Sequence, residues 1–222
     1  MTRSAAVPAG TRLVFGASGY IGSNLVPALV AAGYRVRASA RNVEVLEARG
    51  WDGVDLVQAD ALDVDSLRAA LAGVDTAYYL VHSMAAGRDF AAIDRQAAGN
   101  FARAAADAGV RRIVYLGGLI PPNPRSQHLL SRAETGEVLR SFPVPVTEIR
   151  AGMIIGPGSA AYEVIRDLVN HLPVMITPAW VSSRSTPIAL PDLLAYLVAV
   201  PDRDEAAGRV FDTGGPDAVT YE

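Results

Sequence analysis

Three glycines, at positions 16, 19 and 22 in the run GASGYIG, carry the sharpest chemical signal in the chain. An apolar run, RLVF, precedes them, and an amphipathic stretch beginning at Tyr20 follows. At this spacing each glycine has its own task. Gly16 permits a tight turn, Gly19 lets the backbone approach a pyrophosphate, and Gly22 lets a helix pack close to the strand before it. The helix start supplies free N–H groups and a partial positive charge. Ser18, Tyr20 and Ile21 belong to the same turn and are counted with it as cofactor-binding. The plainer alternative is a tight turn that holds no ligand.

If a dinucleotide sits there, the end of the second strand chooses which one. An acid at that point would bind the ribose hydroxyls of NAD. The segment reads Ala38-Ser39-Ala40-Arg41-Asn42, with no acid. Arg41 stands where a 2′-phosphate wants a guanidinium, Ser39 is placed to add a hydrogen bond, and Arg37 lies on the same strand. NADP(H) is therefore favoured over NAD(H); the alternative for Arg41 is a solvated surface arginine. Asp60 and Ala61 follow the third strand, where an acid meets an adenine amino group or else caps the next helix. Leu80, Val81 and His82 end the fourth strand and are expected to line the adenine and ribose side. A lone histidine there has a structural reading as well as a chemical one.

Composition removes several classes of chemistry. The chain has 222 residues and no cysteine, and all 20 basic residues are arginine. Disulfides, thiol nucleophiles and lysine Schiff bases are excluded together. The three histidines (82, 128 and 171) lack metal-ligand spacing, so no metal is expected. Half of the residues are hydrophobic and 19% are charged, enough apolar material for a core. A net charge of −3 argues against nucleic acid as a partner. Residues 1–10 read as a loose leader without the apolar core of a signal peptide, and no long apolar run predicts a membrane span. The cytoplasm is the expected compartment.

The rest of the chain alternates strand and helix. Strands are expected at 12–16, 34–40, 54–60, 76–82, 111–118, 144–152 and 209–215. Helices are expected at 20–32, 64–71, 89–108, 129–140 and 190–200. That order predicts an α/β protein with a doubly wound parallel sheet, a Rossmann arrangement. Residues 11–152 form its dinucleotide-binding core. Residues 153–222 form a small substrate-side lobe, packed on the core and ending in a further strand of the sheet. Met153, Ile154, Ile155, Pro157, Met175, Ile176, Pro178 and Trp180 are either core residues or the wall of an apolar substrate pocket. Arg150 and Arg184 are placed for an anionic group or for surface salt bridges.

GASGYIG, QADALD, DRQAAGNFARAAADAGV and RRIVYLGGL resemble the short-chain dehydrogenase/reductase superfamily. The resemblance is to its extended and atypical branch, the NmrA-like, NAD(P)H-binding, nucleoside-diphosphate-sugar-epimerase-like proteins. SRAETGEVLR, VTEIRAGMIIGPGS, LPVMITPAW and FDTGGPDAVTY are similar to one bacterial subgroup, so the resemblance runs over about residues 11–222. Chains of that subgroup often continue further, and this one reads as a short or a shortened member. The resemblance implies a Tyr-x-x-x-Lys pair with an upstream serine. The pattern instead falls on His128 and Arg132, and the serine position falls on Gly117 and Gly118, which are counted with the cofactor's surroundings.

Arginine anchors ribose or phosphate but is no base, whereas histidine transfers protons near neutral pH. Three readings follow. One is an NADPH-dependent reductase of a small carbonyl or quinone-like substrate, with His128 as proton donor and Arg132 gripping the cofactor. The second is a non-catalytic NADP(H) sensor or scaffold, and the third is a sugar-nucleotide epimerase or dehydratase. For His128 the plain alternative is a helix-start histidine. For Arg132 it is a surface residue paired with Glu134 or Glu137. Two long helices, at 89–108 and 129–140, resemble the surfaces through which relatives form homodimers.

Overall fold

The computed structural model describes residues 10–82, 90–121, 126–171 and 184–220. The chain opens with β1 (Thr11–Phe15), α1 (Tyr20–Ala31), β2 (Arg35–Ala40), the single turn α2 (Glu44–Glu47) and β3 (Asp55–Gln58). Then come α3 (Val64–Leu71), β4 (Val74–Tyr79), α4 (Phe90–Asp107), β5 (Arg112–Gly118), α5 (Gln127–Arg140) and β6 (Val146–Ala151). Beyond them lie β7 (Ile154–Ile155), α6 (Ala160–His171), β8 (Ile188–Ala189), α7 (Leu190–Ala199) and β9 (Val210–Thr213).

Seven strands make one sheet in the order β3-β2-β1-β4-β5-β6-β9, and every neighbouring pair is parallel. Parallel strands buried on both faces have apolar side chains pointing both ways, as Leu13 and Val14 do in β1. On one face, α3, α4 and α5 pack over Phe15, Tyr79 and Tyr115. On the other, α1 and α7 pack over Val14, Tyr78, Val114 and Ile149. The Tyr78 hydroxyl reaches across that second layer and donates to the Leu197 carbonyl at 2.9 Å.

Strand order reverses between β1 and β4, so a crevice opens where the connections diverge to either side. Of the stretch after residue 152, α7 and β9 belong to the layers of the main sheet. β7 and β8 form a short parallel pair outside the main sheet, and their Ile154 and Ile188 pack into the same layer. Three details depart from the sequence reading. β4 stops at Tyr79, so Leu80, Val81 and His82 follow the strand. α5 starts two residues early, at Gln127. The turn α2, unforeseen in the sequence, buries Leu46. Met175, Ile176, Pro178 and Trp180 lie outside the described residues. Among the described residues no helix is long and apolar enough to cross a membrane.

Candidate functional site

A cavity of about 1670 Å³ lies at the carboxyl ends of the strands. Most of the cofactor and catalytic residues picked from the sequence line it: Gly16, Ser18, Gly19, Tyr20, Ile21 and Gly22, then Arg41, Asp60, Ala61, Leu80, Val81, His82, Gly117, Gly118, His128 and Arg132; Arg37 and Ser39 do not. The fold thus brings together residues from five βα connections, where open α/β sheets bind ligands.

The glycine turn is held from below. The Ser39 carbonyl accepts from the N–H groups of Gly16, at 3.2 Å, and Ala17, at 2.9 Å. Gly16 has φ +95°, and a β-carbon there would lie 2.8 Å from Val81 Cγ1. A β-carbon on Gly22 would fall on the Gly16 carbonyl oxygen, so no other residue lets α1 lie this close to β1. At Gly19 the nearest described atom to a β-carbon is 3.4 Å away, leaving the backbone open to the cavity. Gly19 is the N-cap of α1, no side chain caps that end, and its first turn holds no acid. A twelve-residue helix therefore points an uncompensated positive end at the cavity, which fits a pyrophosphate.

At the far side of the crevice Arg41 is exposed and forms no ion pair with any described residue. The other two supports for a 2′-phosphate fail. Ser39 is fully buried, its Oγ has no described partner, and it does not line the cavity. Arg37 is turned away: its Nε bonds Asp55 at 2.5 Å, and its Nη1 donates to the Ala70 and Ala72 carbonyls. Alternation along β2 sends 37 and 39 to one face of the sheet, whereas Arg41 lies past the strand end. For Asp60, the cap reading passes to another residue. Asp63 is the N-cap of α3, while Asp60 Oδ1 accepts from Leu62 N at 2.9 Å in a turn at the cavity wall.

The opposite wall gathers His82, Asp94, His128 and Arg132. The two histidine rings meet edge to face, with centroids 5.6 Å apart. Burial first, then the Arg132 guanidinium and the His128 ring, push His82 down to about 4, although Asp94 pulls the other way. His128 is lowered by burial and by Arg132, again against Asp94. Both rings are therefore uncharged at neutral pH. Asp94, buried on α4, accepts from Ser131 Oγ of α5 at 3.0 Å.

Arg132 does not pair with Glu134, which bonds Arg95 instead at 2.9 Å, nor with Glu137. Its Nη2 donates to the Leu116 carbonyl at 2.6 Å, and its backbone carbonyl accepts from the Tyr115 hydroxyl at 2.9 Å. Its Nε is buried without a described partner. A β-carbon on Gly118 would sit 3.3 Å from Leu129 Cδ2 and 3.6 Å from that Nε, so the guanidinium lies against the end of β5. At Gly117 a side chain would run into Glu148, 2.9 Å from its Oε1. Glu148 is buried between Arg140 and Arg150, which settles Arg150 as an ion-pair partner.

Sequence reasoning missed Tyr20's second role and all of Asp94. The Tyr20 hydroxyl is buried with no described partner, and burial followed by Glu163 raises its pKa. A buried phenol normally finds a hydrogen-bond partner, and among the described residues this one has none. Asp94 was legible in principle: it shares a helical face with Ala97, Ala98 and Phe101, all buried, where a carboxylate is out of place. Arg184 lines the cavity and donates to the Ala218 carbonyl at 3.3 Å.

The profile of the NmrA-like family matches residues 9–155. A reductase of (4-alkanoyl-5-oxo-2,5-dihydrofuran-3-yl)methyl phosphate from Streptomyces griseus is 32% identical over 216 residues, 94% of this chain and 69% of that one. Cinnamoyl-CoA reductase 1 of Oryza sativa is 38% identical over 120 residues, half of this chain. That match spans 36% of the rice enzyme's length. Among solved structures, an epimerase from Methanothermobacter thermautotrophicus superposes with a TM-score of 0.81 at 19% identity. The superposition covers 97% of this chain and 74% of the epimerase, and it bears on the fold alone.

Proposed function

Since the chain belongs to the NmrA-like family, within the extended short-chain dehydrogenase/reductase superfamily, we propose that it is an NADPH-dependent reductase of a small carbonyl or quinone-like substrate. The observation that carries this reading is that one cavity is shared by the uncapped start of α1 and by Arg41 and Arg132, neither of which forms an ion pair among the described residues. Both relatives described above are named as reductases, which supports it.

In this reading the helix start from Ser18 to Gly22 holds the pyrophosphate. Arg41 holds the 2′-phosphate, and Asp60 and Ala61 face the adenine. Leu80 and Val81 cover the ribose side and keep water from it. When bound, the reduced nicotinamide supplies a hydride. Gly117 and Gly118 leave room at the strand end for the nicotinamide half, where Arg132 grips the ribose or the reacting oxygen. His128, neutral at pH 7, passes on a proton drawn from solvent instead of storing one.

Titration of the protein with NADPH, NADP, NADH and NAD, followed by nicotinamide fluorescence or calorimetry, tests the binding half. Selective, tight binding of NADPH is expected, and failure to bind any of the four overturns the reading. NADPH consumption with a carbonyl and quinone panel tests the rest. His128→Ala is expected to lower turnover and leave NADPH affinity nearly unchanged. The absence of a tyrosine–lysine pair at 128 and 132 favours a second reading, a redox sensor of the NmrA-like type. That reading predicts NADPH binding, different affinities for the two redox forms, and no turnover.

A further inference from the structure

Asn100 lies inside the alanine-rich helix α4, in the run DRQAAGNFARAAADAGV, at a position where asparagine weakens a helix. It is partly buried and does not line the cavity. Its Nδ2 reaches back across 39 positions and donates to the Ala61 carbonyl at 3.0 Å. That carbonyl belongs to the turn after β3, which does line the cavity through Asp60, Ala61 and Leu62.

The N–H groups of this turn are committed with one exception. Ala59 N–H bonds the Ala40 carbonyl at 3.0 Å, and Asp63 N–H bonds the Asp60 carbonyl at 3.0 Å. Asp60 N–H donates to Ser66 Oγ at 3.0 Å, and Leu62 N–H donates to Asp60 Oδ1 at 2.9 Å. The peptide joining Ala61 to Leu62 is therefore gripped at both ends, its carbonyl by Asn100 and its N–H by the Asp60 carboxylate. Among the described residues two groups at the cavity wall keep no partner: the Ala61 N–H, a donor, and Asp60 Oδ2, an acceptor.

We infer that Asn100 is a positioning residue for the adenine half of the cofactor: by fixing the Ala61–Leu62 peptide it fixes the Asp60 carboxylate against the base. The inference rests on the dinucleotide reading above, in which Asp60 and Ala61 face the adenine. An acceptor beside a donor complements adenine, whose amino group donates and whose neighbouring N1 accepts. Hypoxanthine reverses both, because oxygen replaces the amino group and N1 carries a hydrogen. A turn held rigid then sets acceptor against acceptor and donor against donor, and it rejects that base. A turn released from Asn100 lets the peptide rotate, and Asp60 with it, toward the N1 hydrogen of hypoxanthine. Asn100 thus governs the choice of base without touching it.

The test is a binding measurement that needs no turnover. NADPH and its deamino counterpart, which carries hypoxanthine in place of adenine, are titrated into the protein and followed by nicotinamide fluorescence. The wild-type chain is expected to bind NADPH at least about tenfold tighter, the scale of one hydrogen bond to a charged group. Asn100→Ala and the isosteric Asn100→Asp, which puts an acceptor where the amide donated, are each expected to cut that ratio to about twofold, chiefly by weakening NADPH. Both nucleotides meet the same folded fraction, so a loss of stability alone leaves the ratio unchanged. In an Asp60→Ala background, Asn100→Ala is expected to change the ratio no further, because Asn100 acts through Asp60. Equal binding of the two nucleotides by the wild-type chain overturns the inference, as does a ratio that survives both Asn100 variants. The reductase reading then stands. Binding of neither nucleotide overturns both.

Discussion

Arginine does opposite work at the two ends of this sheet. At the amino ends of the strands Arg12 is almost wholly buried, yet it bonds Thr76 and Asp202, pairs with Asp75 at 3.5 Å, and lies over the Tyr34 ring at 4.6 Å. Arg111 joins it on Asp75, and Arg112 donates to the carbonyls of Val200 and Arg203. At the carboxyl ends Arg41 and Arg132 meet no carboxylate among the described residues. The difference is one of partners, not of residue type. A charge whose counter-charge is built into the chain holds the chain together. A charge left without one is available to a ligand.

The largest expected effect that tests this contrast is Arg12→Ala. It removes the buried guanidinium, leaving Asp75 to Arg111 and Asp202 to the Tyr34 hydroxyl, and the loss of buried hydrogen bonds costs about 1–3 kcal/mol. Urea unfolding should show that loss, while NADPH affinity in the folded fraction stays the same. Arg132→Gln should behave in reverse, with little change in the unfolding midpoint and a loss of turnover. If both arginines cost the same stability, the contrast fails.

Arg41→Ala comes next. It should weaken NADPH by about 1.5–3 kcal/mol, the scale of a charge-assisted hydrogen bond, and leave NADH nearly untouched. An equal loss for both nucleotides would remove the 2′-phosphate from Arg41.

The smallest effect lies in the pH dependence of stability, and the two ends should separate there. The fold favours the neutral rings of His82 and His128, so protonation favours the unfolded chain. That contribution is complete above the ordinary histidine value of 6.5 and is lost as pH falls toward about 4. At the other end, burial works to raise Asp75, but hydrogen bonds from Arg111 and Thr76 and the charge of Arg12 outweigh it and hold the carboxyl below its ordinary range. Its contribution persists through the histidine window and is lost only in stronger acid. Proton NMR of the histidine C2–H signals, followed against unfolding midpoints from pH 7 to 3, distinguishes the two. Histidines titrating at 6.5 or above would contradict the dry wall around them.

The lining of the cavity was readable residue by residue around the glycine turn. Gly16, Gly19 and Gly22 announce themselves because their task is steric and local: each spares a β-carbon that would strike a neighbour or block the backbone. Arg37 and Ser39 were misread for an equally local reason. They sit on one face of β2, and only the packing of that face shows that it leads under α3 and not into the crevice. Asp94 went unnoticed because it lies in an alanine-rich helix, and its significance appears only where α5 brings Ser131 and His128 against it.

By itself, then, the chain's order of residues determined the alternation of strand and helix, the parallel sheet and the glycine turn at the start of α1. These depend on periodicity and on backbone freedom, which act over a few neighbouring positions. Tertiary structure decided which charges are paired. Arg12 finds Asp202 across 190 positions, whereas among the described residues Arg132 finds a carbonyl and no carboxylate. Electrostatic partners are set by distance in space, and in a doubly wound fold that distance bears little relation to separation along the chain.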